Sequence, residues 1–387
     1  MNVDVIIVGG GIVGASFASR LQDSGLQVAG IEPKPAPNLP LDGEYDHRVY
    51  AITPTNMALL DSLDVFQPQD RIRLTPIRGM EICGDRKATL DFSARSANRS
   101  ELATMVEHRL LATRLRERLS IAKHVQIISH AGSKSLEVGA RDVRICLDDD
   151  TELTAALLVG ADGGDSWVRN EGGFSVREKD YDQVALVANF VCQQPHGEIA
   201  RQWFVDQGVL AWLPLGEKHI SIVWSVAAAR GQALIELEPQ AFCLKVNAAG
   251  QNTLGEMSLA SPVGRFPLRS LRSESMVKPH VALMGDAAHV IHPLAGQGLN
   301  LGLQDAQTLA QVLANRAAPE GLGDIAVLRR YERARAEAIA AMHGVTDGLQ
   351  GLFASQSKLV SVLRDGGLGL VDKLPSLKKL LMGRAIG

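Results

Sequence analysis

Residues 3–32 read VDVIIVGGGIVGASFASRLQDSGLQVAGIE. Asp4 to Val8 has the continuous apolar character of a strand buried on both faces. A glycine turn, Gly9-x-Gly11-x-x-Gly14, follows it and opens a helix that Gly25 closes, and LQVAGIE then forms a second strand ending at Glu32. This strand–turn–helix–strand unit opens a doubly wound parallel sheet. Gly9 permits the tight turn, Gly11 lets backbone approach a pyrophosphate, and Gly14 lets helix and strand pack closely. Ile12, Val13 and Gly14 begin the helix, whose free N–H groups point at the phosphates. Glu32 is placed to accept from ribose hydroxyls, and its charge disfavours a 2′-phosphate in this site. An adenine dinucleotide is the ligand expected here.

A second stretch decides which one. VALMGDAAHVIHPLAGQGLNLGLQDA (281–306) runs from a buried strand through Gly285-Asp286, His289, His292 and Pro293 to Gly296-Gln297-Gly298 and a helix starting Leu299-Asn300. His289 and His292 are spaced i, i+3, but no third metal ligand of convincing spacing accompanies them, so no metal is expected. A carboxylate at Asp286 suits the ribitol hydroxyls that FAD has and NAD lacks. The helix N-terminus suits the negative charge that reduced flavin carries over N1 and C2=O. FAD is therefore the expected cofactor.

The rest of the chain supplies the architecture. Residues 105–119 are helical in pattern, and ALLVGADGGDSWVR (156–169) is another buried strand ending in a glycine-rich turn. Residues around 71–100 alternate and turn, and Val184 to Val226 reads as successive antiparallel strands, with Trp203, Trp212 and Trp224 expected mainly as sheet core. The expected fold is α/β: a Rossmann-like FAD-binding domain from 1–70, 101–180 and 275–387, with helices at its C-terminal end. An antiparallel β-sheet substrate domain from 71–100 and 181–274 is inserted in it. With 387 residues and a net charge of −3, the chain has size for two domains and no general attraction to nucleic acid. Cys83, Cys146, Cys192 and Cys243 lie far apart, as expected of buried thiols in a reducing compartment. The first residues lack the pattern of a signal peptide and no apolar run is long enough to span a bilayer, so a cytoplasmic location is expected.

The turn VGGGIVG (8–14), the middle GADGGDSWVR (160–169) and the late GDAAHVIHPLAGQGLNLGLQDA (285–306) resemble the three signatures of the single-component flavoprotein aromatic hydroxylases, the para-hydroxybenzoate hydroxylase superfamily. More narrowly, DHRVYAITPTN (46–56), FVDQGVLAWLPL (204–215), HPLAGQGLNLGLQD (292–305) and LRDGGLGLVDKLPSLKKLLMGRAIG (363–387) resemble the ubiquinone-biosynthesis hydroxylases. The resemblance implies ring hydroxylation of a polyprenylated phenol by O₂ through a flavin C4a-hydroperoxide, with NAD(P)H as a transient reductant. It also implies that Gly9, Gly11, Gly14 and Glu32 hold the AMP half of FAD. Arg48 and Arg109 then lie near the cofactor, Asp162 and Gly163 form the family's Asp-Gly pair, and Asp286 bonds ribitol. Pro293, Gly296 and Gly298 line the isoalloxazine. Arg48 as a solvated loop arginine and Asp162 as a helix cap stay open as structural alternatives. No general base stands out; His292 and Arg48 are weak catalytic candidates.

Lys358, Arg364, Lys373, Lys378, Lys379 and Arg384 interleave with leucines against Asp365 and Asp372. A tail of that kind suits peripheral contact with an anionic inner-membrane surface, where a prenylated substrate resides. Packing of the tail on its own domain is the competing expectation. Two other functions also stay open: a non-catalytic FAD-holding member of a quinone-biosynthesis assembly, and a flavoprotein reductase of the same fold. A halogenase is disfavoured because AWLPL (211–215) lacks the WxWxIP pattern.

Overall fold

The computed structural model describes residues 1–41, 43–84, 89–205, 208–292 and 297–354. The first strand, Asn2–Val8, lies between Val28–Ile31 and Glu152–Gly160, parallel to both. Glu152–Gly160 pairs in turn with Val281–Leu283, and Val28–Ile31 with Val125–Ile128, all parallel. The apolar runs Val5–Val8 and Leu157–Val159 are buried throughout, as strands covered on both faces must be. A hairpin of Ser133–Val138 and Val143–Leu147 extends this sheet.

A nine-stranded sheet forms the second layer. Its centre is Val176–Cys192, antiparallel to His219–Ala227 on one side and Gly264–Ser273 on the other. Gly208–Leu215, Ile199–Val205 and the hairpin strands Gly79–Cys83 and Thr89–Ser93 continue it. Two chain segments far apart in sequence thus share one sheet. A small antiparallel sheet of Val49–Ile52, Ala103–Glu107 and Thr75–Ile77 lies between the two larger ones in chain connectivity.

Strand alternation gives the large sheet two different faces. Leu186, Phe190, Leu210, Trp203, Trp212, Ile222 and Trp224 point to one side and pack with Phe242 and Val246 of the helix Pro239–Ala249. The tryptophans are core, as their strand setting suggests. On the opposite face Leu215 and Ala200 pack with Ile77 and Met105, and Asn189 Nδ2 donates to the carbonyls of Tyr45 (2.9 Å) and Asp46 (3.0 Å). Half-buried Val187, Ala211, Leu213 and Val223 share that second face through their register. It is the face turned toward the segment around Asp46.

The helix Gly298–Ala314 packs on the first helix, Ile12–Arg20, and carries the long helix Ile325–Ala354. Among the described residues no helix is long and apolar enough to cross a membrane. The tail from residue 355 onward lies outside the described residues.

The tryptophan face has no slack at Gly250, where a Cβ would lie 2.0 Å from Trp212 Cζ2. Gly250→Ala is expected to destabilise the protein by about 1–3 kcal/mol through overpacking. A denaturant midpoint equal to wild type would contradict this packing.

Candidate functional site

Val281–Leu283, Glu152–Gly160 and Asn2–Val8 are adjacent in the sheet, and each runs into one of the three sequence signatures at its C-terminal end. Ala161 N donates to Val8 O (2.8 Å) and Met284 N to Gly160 O (2.9 Å), so the signature loops leave the same edge side by side. Ligands of open α/β sheets bind at that edge.

The first loop is shaped by steric necessity. Gly9 has φ +102°, and a Cβ there would lie 2.4 Å from Ala161 O. A Cβ on Gly14 would meet Gly9 O at 2.0 Å. Gly11, by contrast, faces open space, and it begins the helix Ile12–Arg20 with no side-chain cap. The helix N-terminus is therefore left to an anion. Glu32 stands just past the second strand and accepts from Gly10 N (2.9 Å) and Lys34 N (3.1 Å), which fixes its carboxylate beside the turn.

Val13 joins this loop to the late signature. A Cβ placed on Gly302 would lie 2.7 Å from Val13 Cγ2 and 3.3 Å from Gly285 Cα. The glycine turn and the Gly285-Asp286 turn are thus in contact, close enough to serve one extended ligand.

A buried carboxylate holds the late loop. Asp305, fully buried, accepts from Gly285 N (2.9 Å), His289 Nε2 (2.6 Å) and Arg335 Nε (2.7 Å). Burial by itself would push Asp305 up, but His289 and Arg335 hold it below the ordinary carboxylate range. Arg335 also donates to Gln304 Oε1 (3.0 Å) and Leu301 O (3.3 Å). Neighbouring Asp286 accepts no hydrogen bond from any described residue. Burial pushes its carboxyl up, opposed by Arg48 and His289.

Arg48 faces this same space. It is exposed, its Cζ lies 5.5 Å from the Tyr50 ring centroid, and no carboxylate of a described residue comes within 4.0 Å of it. Arg109 is nearby: Asp46 Oδ2 accepts from its backbone N (2.8 Å) and lies 3.6 Å from its Nε. Arg48 N donates to the other Asp46 oxygen (3.2 Å).

Other expected site residues carry structural work. Asp162 accepts from Ser166 Oγ (2.5 Å) and Val168 N (3.0 Å), so it braces the start of the helix Trp167–Glu171. Gly163, φ +85°, faces open space beside it. The Asn300 side chain is spent on Thr53 N (3.0 Å), Asn56 Nδ2 (2.8 Å) and Ala51 O (2.8 Å), clamping the late helix to the segment after Arg48. Gln297 and Gly298 form the first turn of that helix, and Leu299 packs against the core. His292 is buried, with Nε2 3.3 Å from Gln183 Oε1 and its ring edge-on to Tyr181 at 4.8 Å. Pro293 and Gly296 lie outside the described residues.

Sequence reasoning missed Asp305, Arg335 and Asn56. An acid inside an otherwise apolar helix face is a signal that was available for Asp305. Arg335 gave none, because a long helix rich in arginines reads as solvated.

These residues fit FAD: an uncapped helix behind an open Gly11 and, among the described residues, a carboxylate at Asp286 with no donor and a cation at Arg48 with no carboxylate within 4.0 Å. No group of acids, histidines and cysteines among the described residues could hold a metal ion. The chain matches the FAD-binding-domain family over residues 2–345. It is 31% identical over 386 residues to a ubiquinone hydroxylase, UbiL, of Rhodospirillum rubrum, covering 99% of this chain and 89% of that one. It is 30% identical over 388 residues to the 3-demethoxyubiquinol 3-hydroxylase of Escherichia coli, covering 99% and 98%. Among solved structures it resembles PqsL, a probable FAD-dependent monooxygenase from Pseudomonas aeruginosa, with TM-score 0.78 and 21% identity over 95% of this chain and 99% of that one.

Asp305→Asn strips the counter-charge from buried Arg335 and is expected to cost about 3 kcal/mol at neutral pH. A depressed folded pKa means that Asp305 stabilises above the ordinary carboxylate pKa of about 3.9 and ceases to do so as pH falls through its folded value. The stability gap between wild type and D305N should therefore narrow below about pH 4. Chemical denaturation across pH 3–8 checks this; a gap that widens toward acid would refute it.

Proposed function

Since the chain belongs to the ubiquinone-biosynthesis hydroxylases of the FAD-binding-domain family, we propose that it hydroxylates the aromatic ring of a polyprenylated phenol with O₂. The observation that carries this reading is the meeting of the glycine turn and the Gly285-Asp286 turn at one sheet edge, through Val13. When bound, FAD supplies oxygen activation and the transfer of one oxygen atom to the ring.

The chain's own residues supply position and dryness. The Gly11 helix end receives the pyrophosphate, Glu32 accepts from the adenosine ribose, and Asp286 accepts from ribitol. Arg48 and Arg109 offer positive charge near the cofactor, and Gly163 gives backbone access beside Asp162. Residues 297–300 present a second helix end to the anionic side of the ring. Val187, Ala211, Leu213 and Val223 form an apolar wall that seats the substrate and excludes water, which would otherwise divert activated oxygen to peroxide. The nine-stranded sheet is then the substrate domain, drawn from 71–100 and 181–274, and the remainder is the cofactor domain. His292, already engaged with Gln183, acts as a wall residue in this scheme, and no general base is assigned.

NAD(P)H is proposed as a transient reductant. The basic, leucine-rich tail from Lys358 to Arg384 is proposed to dock on an anionic membrane, and a quinone-biosynthesis complex is a compatible setting. Purified protein should be yellow, and with a prenylated phenol, reductant and O₂ its product should gain one oxygen in mass. A gain of two hydrogens would support a reductase instead, and no turnover would support a non-catalytic FAD-holding member. Full-length chain should float with anionic liposomes more than a chain cut near Ser357; equal flotation would remove the membrane role.

A further inference from the structure

A hydrogen-bonded pair that none of the glycine and aspartate signatures includes lies beneath Arg48. Tyr50 Oη is 3.0 Å from His108 Nδ1, and the two rings meet edge-on. Strand pairing brings them together: Tyr50 stands opposite Val106 in the ladder, and His108 N donates to Arg48 O at 2.9 Å. The charged groups around the pair are Arg48 and Asp46 from one strand segment and Asp286 from the late loop.

Burial pushes the Tyr50 phenol up to about 12, and burial together with Arg48 pushes the His108 imidazole down. Both are neutral near pH 7, so the pair is a neutral hydrogen bond that fixes the tilt of the Tyr50 ring. The Arg48 guanidinium lies over that ring, its Cζ 5.5 Å from the centroid, within cation–π range.

We propose that Tyr50 and His108 are positioning residues that hold the Arg48 guanidinium toward bound FAD. They act as a two-member prop: His108 orients the Tyr50 ring, and the face of that ring holds the cation. Arg48 is otherwise exposed and has no carboxylate of a described residue within 4.0 Å, so a long flexible side chain would wander without the prop. The proposal rests on the FAD reading above and adds two residues to it.

The test is a double-mutant cycle on FAD affinity, read by flavin fluorescence, with Tyr50→Leu, Arg48→Ala and the pair together. Tyr50→Leu should weaken FAD binding about threefold, the worth of a cation–π contact at an exposed site. In the Arg48→Ala background the same change should do nothing, because Tyr50 acts through Arg48. Tyr50→Phe, which keeps the ring face, should lose less than Tyr50→Leu. His108→Ala should weaken binding only when Arg48 is present, and His108→Gln, which can hydrogen-bond the phenol, should restore part of that loss. If Tyr50→Leu fails to fold, the His108 substitutions carry the same cycle. Losses that add across the cycle, or no loss in either variant, overturn the proposal while leaving FAD binding intact. A wild-type chain that binds no FAD overturns the cofactor reading itself.

Discussion

One buried carboxylate sets the geometry on which the rest depends. Asp305 gathers Gly285 N and His289 from the late loop and Arg335 from the long helix, three donors at a position closed to solvent. Such a site is stable only when fully satisfied, since each partner left alone would be an uncompensated buried group. The backbone donor pins the turn at Gly285, next to Asp286, which accepts from no described residue. Arg335 extends the constraint into the long C-terminal helix, so the helix acts as a brace behind the cofactor loop.

The parallel sheet does the complementary work. Three neighbouring strands end together, and the loops that follow must share limited space. Close approach of Gly9 to Ala161, and of Gly302 to Val13 and Gly285, shows how little room is left. Small residues at these contacts let three loops converge where larger ones would force them apart. The second sheet turns a face of modest apolar side chains toward the segment around Asp46, while its tryptophans are committed to the helices behind.

The residues that advertise themselves in sequence are those whose backbone demands are unusual. The glycine turn and the Gly285-Asp286 turn could be read because few other arrangements need that spacing, whereas the Asp-Gly pair entered only through the family resemblance. The nine-stranded sheet was legible as alternating apolar runs, though its strand Val176–Cys192 begins five residues before the expected boundary at 181 and bends at the irregularity between Asp180 and Gln183. Side-chain partnerships across the fold were not legible. Nothing local says that Asn300 will clamp Ala51, Thr53 and Asn56, whereas the local bonds of Asp162 to Ser166 and Val168 match the helix-cap alternative. The Asn300 bonds join distant segments, and a linear pattern records no distance between them. Tyr50 and His108 were hidden for the same reason, fifty-eight positions apart, one on a strand and the other starting the helix that follows its partner strand.

The central claim is that one FAD spans the glycine turn and the Gly285-Asp286 loop. A crystal structure of the protein with FAD tests it most directly. The account requires the pyrophosphate at the N-terminus of Ile12–Arg20, with the ribitol chain against Asp286 and the flavin ring at the start of Gly298–Ala314. FAD bound elsewhere, or bound with Asp286 out of reach of the ribitol hydroxyls, would contradict it.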